Sequence, residues 1–347
     1  MMRLFFIFLL LLSILPVPVS AVDFTAPQVP ASGSRCMPDN TEDFGSGLLE
    51  LLQTAVLQIR PDLNEAANVM LSVTAAVVLI CILRFFTSNV KNTADMTGAI
   101  IISAILFTNT DAMIHLATET VLELSEYGKL FFPVMTAAVA AQGGLTSSTA
   151  LYVGTTIFDS ILGSIISGIM VPLIYLYLAL AAAASAMQED GLKKIQDLIK
   201  NFVSWSLKIL LTVYTTYMSI TGVVSGTTDA AALKATKVTI ASVVPVVGGI
   251  LSDASEAILV STGLMKNAAG IYGILAALAI FLEPFLKIGI QYVILKVTSA
   301  LCGLFGSKNM VSLIEDFSSA MGLLLAMTGA VCLLLLISTI CFMRGVG

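Results

Sequence analysis

Long apolar runs, each ended by a few charges or a proline, set the pattern of this chain. The first, residues 66–88 (AANVMLSVTAAVVLICILRFFTS), is long enough for one helix to cross about 30 Å of hydrocarbon. Arg84 and Lys91 flank its far end, which the positive-inside rule assigns to the cytoplasm. Residues 96–118 are predicted to return outward, into an acidic connection, ETVLELSEYGK, where Glu119, Glu123 and Glu126 face Lys129 alone. From Thr149 to Met187 the single charge in 39 residues is Asp159. As one helix that run would be roughly 58 Å long at 1.5 Å per residue, so a break is expected at Gly163, Gly168 or Pro172. One crossing plus a re-entrant hairpin fits, and so do three crossings, because QEDGLKKIQDLIKN (188–201) carries Lys193, Lys194 and Lys200 and belongs on the cytoplasmic side. Further apolar segments follow at 202–226, 268–286, 288–305 and 317–343. The pattern predicts an all-α, polytopic helical membrane protein with roughly six to eight membrane segments, some broken or re-entrant.

The N-terminus changes the orientation argument. Residues 1–21 (MMRLFFIFLLLLSILPVPVSA) have a basic start at Arg3, a short apolar core and a small-residue ending at Ala21, the pattern of a cleavable signal peptide. The alternative is an uncleaved first span. Residues 22–43, rich in Pro, Ser, Asp and Asn, read as a disordered extracytoplasmic arm, and 44–60 as an amphipathic helix ending at Pro61. The divisions are therefore a signal peptide at 1–21, an arm and amphipathic helix at 22–65, and a polytopic domain at 66–347.

Composition closes off other classes. Of 347 residues 57% are hydrophobic and 11% charged, too few charges to clothe a water-soluble surface. A net charge of −5 argues against nucleic acid as a partner; the lipid bilayer is the expected surroundings. Cys81, Cys302, Cys332 and Cys341 lie in apolar segments, Cys36 in a polar one, and none shows metal-ligand spacing. No phosphate loop, HExxH or GxSxG occurs, so neither an enzyme nor a cofactor is expected.

Several polar constellations remain as candidates. Asp111, His115 and Glu119 recur every fourth residue, a polar helix face or, less simply, a proton relay. Glu283 and Lys287 have the spacing of an ion pair along one helix, with Pro284 between them. In SVVPVVGGILSD, Pro245 removes an N–H and Gly248-Gly249 free the backbone, so a kinked span or a re-entrant dip is expected, with Asp253 capping the helix that follows. Pro245, Gly248, Gly249 and Asp253, with Asp159 and Pro172, are the candidate gating or pathway residues. GTT at 154–156 and at 226–228, each followed by Val-Pro, hints at a duplicated unit of the kind found in inverted-repeat transporters.

The segments VVPVVGGILSDASEAIL (243–259), LYVGTT (151–156), YLYLALA (175–181) and SGTTDAAALKATK (225–237) resemble the stage III sporulation protein AE family of endospore formers. The resemblance implies a multi-pass protein of the mother-cell membrane around the forespore. It implies partners among the other stage III A membrane proteins and a separate ATPase, in a secretion-like channel that this chain would serve as platform or translocation component. Homo-oligomerisation is compatible with that role. Two other readings compete: a self-sufficient secondary transporter with a broken-helix site, and an intramembrane enzyme that would have to use His115.

Overall fold

The computed structural model describes residues 27–39, 41, 43–86, 91–243 and 248–344; the side chains of 85–86, 91–92, 190 and 222–265 lie outside that description. Among the described residues all regular structure is helical. A short turn, α1 (Ala31–Ser34), precedes α2 (Phe44–Phe86) and α3 (Lys91–Ala141). Then come α4 (Leu145–Ile165), a π-helical turn (Ile166–Met170) and α5 (Val171–Met187), which together form one rod. The chain continues through α6 (Asp190–Val243) and α7 (Gly248–Cys302) to α8 (Lys308–Arg344).

Successive rods run antiparallel. Arg84 Nε lies 3.3 Å from Asp95 Oδ1, setting the end of α2 beside the start of α3. Cys81 Sγ donates to the Phe305 carbonyl at 2.8 Å and Ser185 Oγ to the Asn309 carbonyl at 3.0 Å. The ends of α2, α5 and α7 therefore meet the starts of α3, α6 and α8 at one end of the bundle. α8 runs through the centre, packed by α3, α4, α5, α6 and α7, while α2 lies outside against α3 and α7. Leu313, Phe317, Leu324, Val331, Leu335 and Phe342 of α8 are all buried, while Leu333 and Ile340 are exposed, so the helix is enclosed over most of its surface.

Among the described residues, five stretches are long and apolar enough to cross a membrane: Phe44–Arg84, Thr93–Ala141, Leu145–Met187, Lys266–Cys302 and Lys308–Arg344. The protein is thus a multi-pass helical membrane protein. The predicted span at 202–226 does not reach that standard among the described residues of α6, where Lys208 and a run of Thr and Tyr dilute the apolar character. Charge places the hydrocarbon more closely. On α2, Glu65 and Arg84 stand 19 residues apart with no charge between them, about 28 Å along a helix, close to the hydrocarbon thickness of about 30 Å. Leu71, Leu79 and Leu83 face outward there, as do Ile100 and Phe107 on the charge-free part of α3.

Four expectations are corrected. The acidic connection at 119–129 is helical, an uninterrupted part of α3, because Glu, Leu and Val in that run favour helix and supply buried Val121, Leu124 and Tyr127. The run 149–187 does not split into hairpin or multiple crossings. Its strain is absorbed in the π turn, where the Val171 N–H reaches the Ile166 carbonyl just before Pro172, whose missing N–H then costs less. Pro61 and Lys287 likewise sit within α2 and α7 rather than ending them. Finally, the described part of the arm is packed: Tyr272 Oη donates to the Pro27 carbonyl at 3.2 Å, and a Cβ on Gly33 would lie 2.6 Å from Ile280 Cγ1.

Candidate functional site: polar clusters within the bundle

Three polar clusters occupy this apolar frame. The most enclosed joins α3 to α4. Ser125 and Asp159 are both buried, and Ser125 Oγ donates to Asp159 Oδ2 at 2.6 Å. One turn back on α4 lies Thr155, fully buried, and beside it Tyr214, hydrogen-bonded to Ser338 on α8. The cluster thus draws on four helices, α3, α4, α6 and α8, and Pro172 lies thirteen residues beyond Asp159 along the same rod, outside it.

The second cluster lies on the surface. Tyr175 Oη donates to Asp111 Oδ1 at 2.7 Å, tying α5 to α3. His115 Nε2 stands 3.9 Å from Asp111 Oδ2 with 70% of its side chain exposed, and Glu119 is exposed beyond it. The face is polar and wet.

The predicted pairing of Glu283 with Lys287 is overturned. Lys287 Nζ instead reaches α2, 3.1 Å from Asp62 Oδ1 and 3.9 Å from Glu65 Oε2. Helical spacing permits the local pair, but α2 presents two carboxylates at once. Of the broken segment, Pro245 lies outside the described residues. Gly248 and Gly249 open α7, with Asp253 on its second turn, and their side chains lie outside the description.

The third cluster was not visible in the sequence. At the end where α5 turns into α6, a cavity of about 140 Å³ opens between α5, α6 and α8. Asp316 and Gln196 line it from within, Lys193 and Lys308 from the sides, Gln188 and Glu189 from the rim. Lys193 Nζ lies 2.5 Å from Ser312 Oγ, Lys200 Nζ 3.1 Å from Ser319 Oγ, and Tyr177 Oη 3.4 Å from Asp316 Oδ1. By charge alone, residues 188–201 read as a cytoplasmic connection. The connection shrinks to Gln188 and Glu189, and the rest is the first turns of α6, burying Gln196, Ile199 and Val203. That three- and four-residue spacing was the signal available beforehand.

A multi-pass helical bundle with interior polar junctions defines a membrane component, and its relatives give the family. A family model described as stage III sporulation protein AE matches residues 39–347, so the chain belongs to the stage III sporulation protein AE family. Among curated proteins, the stage III sporulation protein AE of Bacillus subtilis (strain 168) is 21% identical over 270 residues, covering 78% of this chain and 68% of that protein. No solved structure matches the chain.

Proposed function

We propose that the chain serves as a membrane platform or translocation component of a secretion-like channel between mother cell and forespore, seated in the mother-cell membrane. The observation that carries this reading is family membership across nearly the whole chain. The packing supports it: α8 fills the bundle axis with close-packed apolar side chains, a construction suited to a rigid scaffold that works with partners. The other stage III A membrane proteins and a separate ATPase are the proposed partners.

Affinity purification of the full-length chain from sporulating cells tests the proposal. Recovery of those membrane proteins and the ATPase is the expected result. Liposomes holding the chain alone should show no flux of ions or small metabolites. Flux from the chain alone, or purification without those partners, would replace this reading with a self-sufficient transporter or an unrelated role.

A further inference from the structure

The cavity between α5, α6 and α8 has no part in a purely structural scaffold, and its chemistry is specific enough to name a ligand class. We propose that it binds a small zwitterion of amino-acid size, with the ammonium group toward Asp316 and the carboxylate toward Lys193 and the first turn of α8.

Four observations converge on it. The space of about 140 Å³ is far more than one water requires and holds on the order of ten non-hydrogen atoms. Gln196 in its wall is 1% exposed, yet neither its amide oxygen nor its amide nitrogen closes a hydrogen bond of normal geometry, although Asp316 and Tyr177 lie beside it. Buried polar atoms left in that condition are costly, and a ligand with donors and acceptors would satisfy them.

Charge selects the ligand. The lining carries Asp316 and Glu189 against Lys193 and Lys308, a balance that favours neither an anion nor a cation. The opposite charges are also held apart: Lys193 and Lys200 turn to serine hydroxyls, and among the described residues no ion pair joins Asp316 or Glu189 to a lysine. Acid and base separated across a cavity match a molecule bearing both charges.

The cavity edges are shaped to the same end. Gln188 at the rim has φ 58° because it ends α5 in a left-handed C-cap, which turns the chain into α6 at the cavity mouth. Ser307, just before α8, has a buried hydroxyl without a partner, so its side chain does not cap the helix. Lys308 and Asn309, in the first turn of α8, line the cavity, and a helix N-terminus there favours an anionic group such as a carboxylate.

Isothermal titration calorimetry on the full chain in lipid nanodiscs, with a panel of L-amino acids, tests the proposal. Acetate, ethylamine and inorganic phosphate serve as single-charge probes. Saturable binding of at least one amino acid is expected, with much weaker binding of the three probes. Lys193→Met and Asp316→Asn should each weaken binding at least tenfold. Lys308→Met, at an exposed rim position, should weaken it several-fold and keeps the test open if the Asp316 variant fails to fold. Absence of binding by every amino acid would overturn the proposal. So would probe binding as tight as amino-acid binding, or amino-acid binding unchanged in both lysine variants.

Discussion

Lys287 on α7 bridges to Asp62 on α2 at 3.1 Å and leaves Glu283, one turn back on its own helix, without it. The pair sits where the charge-free belt of α2 ends, so it both fastens the outermost helix and marks one edge of the hydrocarbon. Side-chain exposures of 32% and 18% put it between a surface pair and a buried one. Lys287→Met should therefore destabilise the bundle by about 1 kcal/mol. A double-mutant cycle between Asp62 and Lys287, read by thermal unfolding in detergent, should return most of that as coupling energy. The Glu283–Lys287 cycle should return close to none; the opposite pattern would restore the local pair.

Helix glycines divide sharply by what faces them. A Cβ on Gly273 of α7 would stand 2.0 Å from Phe131 Cζ, and that ring is stacked on Tyr127 with centroids 5.6 Å apart, so it has little freedom to retreat. Gly273→Ala should cost about 1–3 kcal/mol through overpacking. A Cβ on Gly163 of α4 meets nothing within 4 Å. Gly163→Ala should leave stability unchanged or raise it by up to about 1 kcal/mol, from helix propensity alone. Thermal unfolding of the two variants decides the matter, and equal effects would contradict the packing of α3 against α7.

What was legible in the sequence followed from burial in lipid. The charge-free run at 66–83 needs no tertiary knowledge, because charges that expensive in hydrocarbon end a span wherever they occur. The same rule fails at 119–129 and 188–201, where charges suggest loops but helices form. A helix there carries charge outward while Leu124 and Gln196 turn inward. Proline misled in the opposite direction. Pro61, expected to end a helix, remains within α2, since one lost hydrogen bond is outweighed by the packing of a long rod. The cavity at Asp316 was beyond reach, because its walls come from three helices distant in sequence.

Ser125 and Asp159 offer a test of the interior junction. The 2.6 Å bond gives the buried carboxyl group its hydroxyl partner, and Thr155 and Tyr214 stand on the same side. Ser125→Ala leaves that group without its donor and should cost about 1–3 kcal/mol. Asp159→Asn keeps size and a hydrogen-bonding group, so it should cost less than Asp159→Ala. A larger loss for the asparagine variant, by unfolding midpoint, would show that the negative charge itself is required.

Cys36 supplies the pH prediction. It lies outside the spans, buried against Leu51 and Ala279, with Sγ 3.5 Å from Gln58 Oε1. Burial foremost, then the Glu283 charge, pushes its thiol up from the ordinary value, while Arg35 pulls in the other direction. The folded protein thus holds a proton on sulfur that the unfolded chain releases at lower pH. Because the native state binds more protons in that interval, stability falls as pH rises above the ordinary thiol value. Below it the contribution is fully present. Maleimide labelling at pH 7–8 should be slow at Cys36 in the folded protein and fast after denaturation. Cys36→Ala should flatten the alkaline decline in unfolding midpoint, and rapid labelling of the native thiol would show that the arm does not pack against α2 and α7.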